Sequence, residues 1–133
     1  MPDLSLPITS FAAVANGLIL LALTCRVIHL RRRDKIVLGD NNDRVMTKVI
    51  RGQANAAEQI PMAIVLLALC EIQGAHFGLL VLLAHILTVG RLAHGVYFAR
   101  HGTPWQFRLY GMFLTLVAQV SLLLVLLFTT LIS

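Results

Sequence analysis

Three polar residues at helical spacing form the strongest chemical signal in this sequence. Arg51, Asn55 and Glu58 are spaced i, i+4 and i+7, so at about 3.6 residues per turn they share one face of a helix. Pro61 follows and has no amide N–H, which predicts a kink beside the Glu58 carboxylate. Such a face could hold a polar ligand, or it could carry an ion-pair network that only assembles helices. The spacing alone leaves both interpretations open.

A second polar group lies further along the chain. Arg91 and His94 (i, i+3) share a helix face with Phe98, whereas Tyr97 points about a third of a turn away. Taken alone, His94 is more typical of a hydrogen-bonded packing residue. The five histidines contain no HxxxH or HxH pair, and the sequence therefore predicts no metal site.

The composition indicates that membrane helices carry both groups. Of the 133 residues, 58% are hydrophobic and 13% are charged, about half the roughly 25% charge of a soluble domain. The mean hydropathy is +0.82. These values exclude a free-standing soluble domain and an intrinsically disordered chain. Stretches without charged side chains cover residues 4–25, 59–70, 72–90 and 109–133.

The predicted fold is all-α, a single integral membrane domain over residues 1–133 that forms an antiparallel four-helix bundle. A spanning helix needs about 20 mainly apolar residues. The second stretch reaches that length only by including Arg51, Asn55 and Glu58 on one side and Glu71 on the other. Charged groups within a membrane usually face a bundle interior or a wet cavity, so these residues predict a polar pocket. The helices are expected near residues 8–31, 48–72, 76–99 and 106–131.

The placement of the basic residues predicts the orientation in the membrane. All eleven Lys and Arg residues lie in or beside the first and third loops, so the positive-inside rule puts these loops in the cytoplasm and both termini outside. Met1 to Pro7 contains Asp3 and no basic residue, so the first helix is not expected to be a cleaved signal peptide. The net charge of +5 therefore indicates the orientation in the membrane rather than binding to nucleic acid. The same basic residues could also contact anionic lipid headgroups.

Four segments of the sequence resemble one family. The string Arg51-Gly-Gln-Ala-Asn55-Ala-Ala-Glu58-Gln-Ile-Pro61 is similar to the start of the second membrane helix in the MAPEG family, membrane-associated proteins in eicosanoid and glutathione metabolism. RRRDKIVLGD at residues 31–40, GRLAH at residues 90–94 and RLYG at residues 108–111 resemble further segments of the same family. The likeness is nearest to its small bacterial inner-membrane branch.

This resemblance implies an assembly and a ligand. MAPEG proteins are homotrimers that bind glutathione as a co-substrate in clefts between neighbouring subunits, near the cytoplasmic side. Asn55 and Glu58 would hold the polar backbone of glutathione, with Glu58 facing its α-amino group. Arg51 would brace the site through a charge-assisted pair, and His94 would contribute to the cleft. Arg91 would pair with an acid or with a glutathione carboxylate.

The resemblance also implies a reactive arginine. Arg108 is similar to the family arginine that faces the thiol, and a neighbouring guanidinium stabilises the thiolate that attacks. A lipophilic electrophile would enter the cleft from the bilayer. Two positions depart from catalytic members: Phe98 stands where many have Tyr, and Ala54 where some have Arg. These departures favour ligand binding over turnover, although Tyr110 beside Arg108 could supply a hydroxyl.

Three functions follow from these residues. The first is a membrane-bound glutathione transferase or peroxidase that acts on hydrophobic electrophiles or lipid hydroperoxides. The second is a non-catalytic scaffold of the same family that binds lipid or glutathione. The third is a small proton-coupled exporter using Glu58, but exporters of this size carry their glutamate in helix 1, where this chain has Arg26 and no acid.

Overall fold

A computed structural model describes residues 5–132, and in this range the chain forms four α-helices. All four are long and apolar enough to cross a membrane, with mean hydropathies of 1.4 to 2.4 over their most apolar segments. The prediction of an all-α four-helix membrane bundle is confirmed. The helices are α1 (Pro7–Asp34), α2 (Arg44–Ile72), α3 (Phe77–Ala99) and α4 (Gln106–Ile132). The inference from Asp3 concerns residues outside the described range.

Polar caps fix where α1 and α2 begin. Asp43 accepts a hydrogen bond from the backbone N–H of Met46 at 2.8 Å, so α2 starts at Arg44, earlier than the predicted residue 48. At the other end of the bundle the Glu71 carboxylate accepts from the backbone N–H groups of Ile8 (3.0 Å) and Thr9 (2.8 Å) and from the Thr9 hydroxyl (2.7 Å). Glu71, at the end of α2, therefore caps the start of α1.

The two central helices are α2 and α3, which pack against each other. On one side α1 contacts both of them, and on the other side α4 does the same, so among the described residues α1 and α4 have no close contact with each other. Loop 1 (residues 35–43) and loop 3 (residues 100–105) lie at the same end of this bundle, which we call the basic end.

Glycines bring α3 and α4 unusually close at the basic end. A Cβ atom on Gly111 would lie 2.5 Å from the backbone nitrogen of His94 and 2.7 Å from the carbonyl oxygen of Gly90. Small residues at such positions let membrane helices approach backbone to backbone. The close approach places the first turns of α4, with Arg108, beside the His94 segment of α3.

Candidate functional site

A cleft of about 570 Å³ opens between α2, α3 and α4. Five residues that the sequence singles out line it, from three different helices: Arg51, Asn55, Glu58, His94 and Arg108. The remaining walls are Ala54, Phe98, Leu109 and Met112. The cleft is therefore lined by both polar and apolar side chains.

The stripe on α2 faces this cleft as its spacing predicts. Arg51 and Glu58 are exposed and Asn55 is half-buried. Within residues 5–132 the one ion pair joins Arg33 to Asp34, so Arg51 and Glu58 take part in no ion-pair network inside the described chain. The interpretation of these residues as a purely structural ion-pair network finds no support within one subunit.

Arg91 lies directly behind the cleft and holds Asn55. Its side chain is 1% exposed, and both Nη1 and Nη2 donate to Asn55 Oδ1 at 3.0 Å. The resemblance implies an acid or a glutathione carboxylate as the partner of Arg91. In the described residues its partner is instead the amide oxygen of Asn55, and Arg91 does not line the cleft. A guanidinium only donates, so the amide must turn Oδ1 toward Arg91, which leaves the Asn55 amide nitrogen as a donor for the cleft.

The cleft carries excess positive charge. Arg51 and Arg108 line it and Arg91 lies behind it, whereas Glu58 is the single acidic side chain among its lining residues. A charge interaction is stronger in a low-dielectric environment than in water. The arrangement therefore favours a ligand that is anionic overall and that also offers one cationic group to Glu58.

His94 packs against a neighbouring ring as the sequence suggests, but one of its nitrogen atoms has no hydrogen-bond partner in the described residues. The side chain is 4% exposed, and its ring lies 4.8 Å from the ring of Phe98 at a tilt of 40°. Nδ1 of His94 is buried and has no hydrogen-bond partner within the described residues. The contact with Phe98 agrees with the interpretation of His94 as a packing residue. The hydrogen bond that this interpretation includes is not made by Nδ1 in the described residues.

The two tyrosines do not reach the cleft of their own chain. Tyr97 packs edge-on against Phe98 at 5.0 Å and lies under the Lys48 ammonium, 4.0 Å from the ring centre. Tyr110 is 61% exposed and does not line the cleft, although Arg108 two residues earlier does. Residues two apart on a helix point to nearly opposite sides, so the hydroxyl expected from Tyr110 is not brought to this site.

The structure adds an apolar wall that the sequence reasoning missed. Met112 lines the cleft four residues after Arg108, and Leu109 lies next to it on α4. The i, i+4 spacing from Arg108 would have identified Met112. This wall offers an apolar surface, suited to a lipophilic molecule, beside the polar side chains of the cleft.

The fold and this cleft define a small membrane protein with a polar cleft at one end of a four-helix bundle. The model of the MAPEG family matches residues 9–128, and the chain belongs to this family. Members of the family are membrane proteins that typically oligomerise. The resemblance found in the four sequence segments is thus confirmed.

Two relatives from one species are similar along most of their length. The chain is 31% identical over 117 residues to the inner membrane protein YecN of Escherichia coli strain K12, which covers 88% of each protein. The protein of the same name from Escherichia coli O6:H1, strain CFT073, matches with the same identity and coverage.

Proposed function

We propose that this protein is a glutathione-dependent transferase or peroxidase of the bacterial inner membrane, acting on hydrophobic electrophiles or lipid hydroperoxides. The observation that carries the proposal is the convergence of Arg51, Asn55, Glu58 and Arg108 from two helices on one cleft. Membership of the MAPEG family and the similarity to an inner membrane protein support the ligand class and the location.

Glutathione fits the polarity of the cleft. It carries two carboxylates and one ammonium group, which matches a site with excess cationic charge and a single carboxylate. The Glu58 carboxylate accepts from the ammonium group, and Arg51 donates to a glutathione carboxylate. The Asn55 amide nitrogen, freed by Arg91, donates to a carbonyl oxygen of the tripeptide.

Arg108 acts on the thiol. A free thiol has a pKa near 8.5, and a neighbouring guanidinium stabilises the thiolate and lowers that pKa. The thiolate sulfur then forms a bond to the electrophilic carbon, and the leaving group departs with the bonding electrons. With a hydroperoxide, the thiolate sulfur attacks the terminal oxygen, the O–O bond breaks, and the alkoxide takes up a proton and leaves as an alcohol. The sulfur is thereby oxidised to a sulfenic acid, which a second glutathione reduces to give glutathione disulfide and water. Leu109 and Met112 hold the apolar part of the reactant.

The exposed charges favour an oligomer with clefts between subunits, and the MAPEG resemblance implies that this oligomer is a trimer. Arg51, Glu58 and Arg108 are exposed on helices that otherwise present apolar side chains to the membrane. Charged groups cost about 2.5–3.5 kcal/mol at the centre of a membrane helix and less near its ends, so a neighbouring subunit that covers the cleft lowers this cost. By the positive-inside rule, the basic loops place the cleft on the cytoplasmic side of the membrane.

The activity is tested with purified protein in detergent, glutathione and 1-chloro-2,4-dinitrobenzene as the electrophile. We expect conjugation by the wild type and a loss of about a hundredfold in kcat/KM for Arg108→Ala, the scale seen when one stabilising donor is removed from a reacting anion. Arg32→Ala is the matched control, because Arg32 is exposed at the end of α1 and lines no part of the cleft. An unchanged rate in Arg108→Ala would show that the assigned role is wrong.

A second candidate is a non-catalytic protein that binds glutathione or lipid in the same cleft. Phe98 favours it, because this side chain lines the cleft at the position where catalytic relatives carry a tyrosine hydroxyl. The same assay separates the two candidates. Binding of glutathione without conjugation or peroxide reduction across several electrophiles would select the non-catalytic function.

A further inference from the structure

A second polar pocket lies at the basic end, separate from the glutathione cleft. It has a volume of about 200 Å³ and lies between α1, the first turns of α2, the end of α3 and loop 3. Its basic lining residues are Arg26, Arg44, Lys48, Arg100 and His101. Phe98 lines both this pocket and the cleft and so forms the wall between them.

The positive charge of this pocket is not compensated within the described chain. No acidic side chain is among its lining residues, and in residues 5–132 none of its arginines or lysines forms an ion pair. Lys48 is held by the carbonyl oxygen of Arg100 at 3.3 Å and by the ring of Tyr97 at 4.0 Å, and both are neutral groups. Cations gathered this closely repel one another unless an anion lies between them.

One of the arginines that line the pocket, Arg26, has a buried donor atom. The Nε atom of Arg26 is buried and has no hydrogen-bond partner within the described residues. A buried charged donor without an acceptor is unfavourable. Arg26 lines the pocket through its other atoms, and an anion there would balance the charge of this poorly solvated guanidinium.

We propose that this pocket binds a phosphate group, either of an anionic phospholipid or of a small soluble molecule. Guanidinium groups match phosphate oxygens with paired hydrogen bonds, and arginines from α1, α2 and loop 3 approach the pocket from three sides. The pocket lies where the apolar helices meet the basic loops, the level at which lipid headgroups lie. Val45 and Val49 give it an apolar wall on α2.

The site is tested by thermal unfolding of the detergent-solubilised protein, titrated with dihexanoyl-phosphatidylglycerol, dihexanoyl-phosphatidylcholine or inorganic phosphate. We expect phosphatidylglycerol to raise Tm at concentrations where phosphatidylcholine does not. If inorganic phosphate matches phosphatidylglycerol, the pocket binds free phosphate groups; if it has no effect, the ligand is a lipid headgroup. Equal shifts with both lipids, or no shift with any probe, would overturn the proposal.

Variants locate the effect. Arg44→Gln and Arg100→Gln change exposed side chains, so both proteins are expected to fold. Each should weaken the apparent affinity about fivefold, which corresponds to the roughly 1 kcal/mol that one basic residue contributes to anionic-lipid binding. Arg32→Gln, at the same end and outside the pocket, should leave the affinity unchanged. Equal losses in all three variants would indicate a diffuse charge effect and contradict a defined site.

Discussion

Among the single residues, Arg91 and Asn55 form the pair that orients one polar group of the cleft, the Asn55 amide. The guanidinium of Arg91 is buried, and its two hydrogen bonds go to one amide oxygen. This contact gives the cleft an oriented amide donor and a nearby positive charge. The sequence identified both residues but not their contact, because the contact depends on the register between α2 and α3.

Substitution of Asn55 tests this pair. Asn55→Leu keeps the size of the side chain but leaves the Arg91 guanidinium buried without its acceptor, which should lower the free energy of unfolding by about 1–3 kcal/mol. The double variant Asn55→Leu/Arg91→Met replaces both partners with apolar groups and should recover much of that loss. Thermal unfolding in detergent measures both, together with the single variant Arg91→Met. Losses in the double variant that equal the sum of the single losses would mean that the two side chains are not coupled.

At the scale of the elements, the sequence predicts more of the helices than of the contacts between them. Hydropathy and charge spacing identify four spans, and the i, i+4, i+7 spacing correctly puts Arg51, Asn55 and Glu58 on one face. Asp43 caps α2, so the helix begins at Arg44 rather than at the predicted residue 48. A prediction based on apolar stretches does not detect this cap. Glu71 was visible as a polar residue at the end of a span, but its partner in α1 depends on tertiary packing.

The close approach of α3 and α4 should tolerate no added side chain. In Gly111→Ala the new methyl group would meet the backbone of His94 and Gly90, which cannot move aside as a flexible side chain can. We expect a loss of about 1–3 kcal/mol in stability, together with weaker glutathione binding because Arg108 is displaced.

Gly17→Ala is the matched control for this change. Gly17 lies in α1 with open space around the position of a Cβ atom, so alanine should be neutral or stabilising by up to about 1 kcal/mol. Thermal unfolding and glutathione titration of both variants provide the comparison. Equal stability of the two variants would mean that α3 and α4 are not packed as closely as described.

At the scale of the whole molecule, the distribution of charge predicts an oligomer. The bundle buries the guanidinium of Arg91 but leaves Arg51, Glu58 and Arg108 exposed beside apolar helix surfaces. Sharing of clefts between subunits would cover these groups. For the homotrimer that the MAPEG resemblance implies, native mass spectrometry in a mild detergent should detect three chains per particle. A stable monomer would contradict both the trimer and the intersubunit position of the ligand.

The central claim is that the cleft between α2, α3 and α4 binds glutathione, and calorimetric titration of the solubilised protein tests it most directly. We expect binding by the wild type and by the control Arg32→Ala, and a loss of about tenfold or more in affinity for Asn55→Ala and for Glu58→Ala. Tenfold corresponds to about 1.4 kcal/mol. That is the lower end of the range for a hydrogen bond to a charged group, as proposed for Glu58, and the upper end of the range for a neutral hydrogen bond, as proposed for Asn55. No binding by the folded wild type, or the same affinity in all four proteins, would contradict the claim.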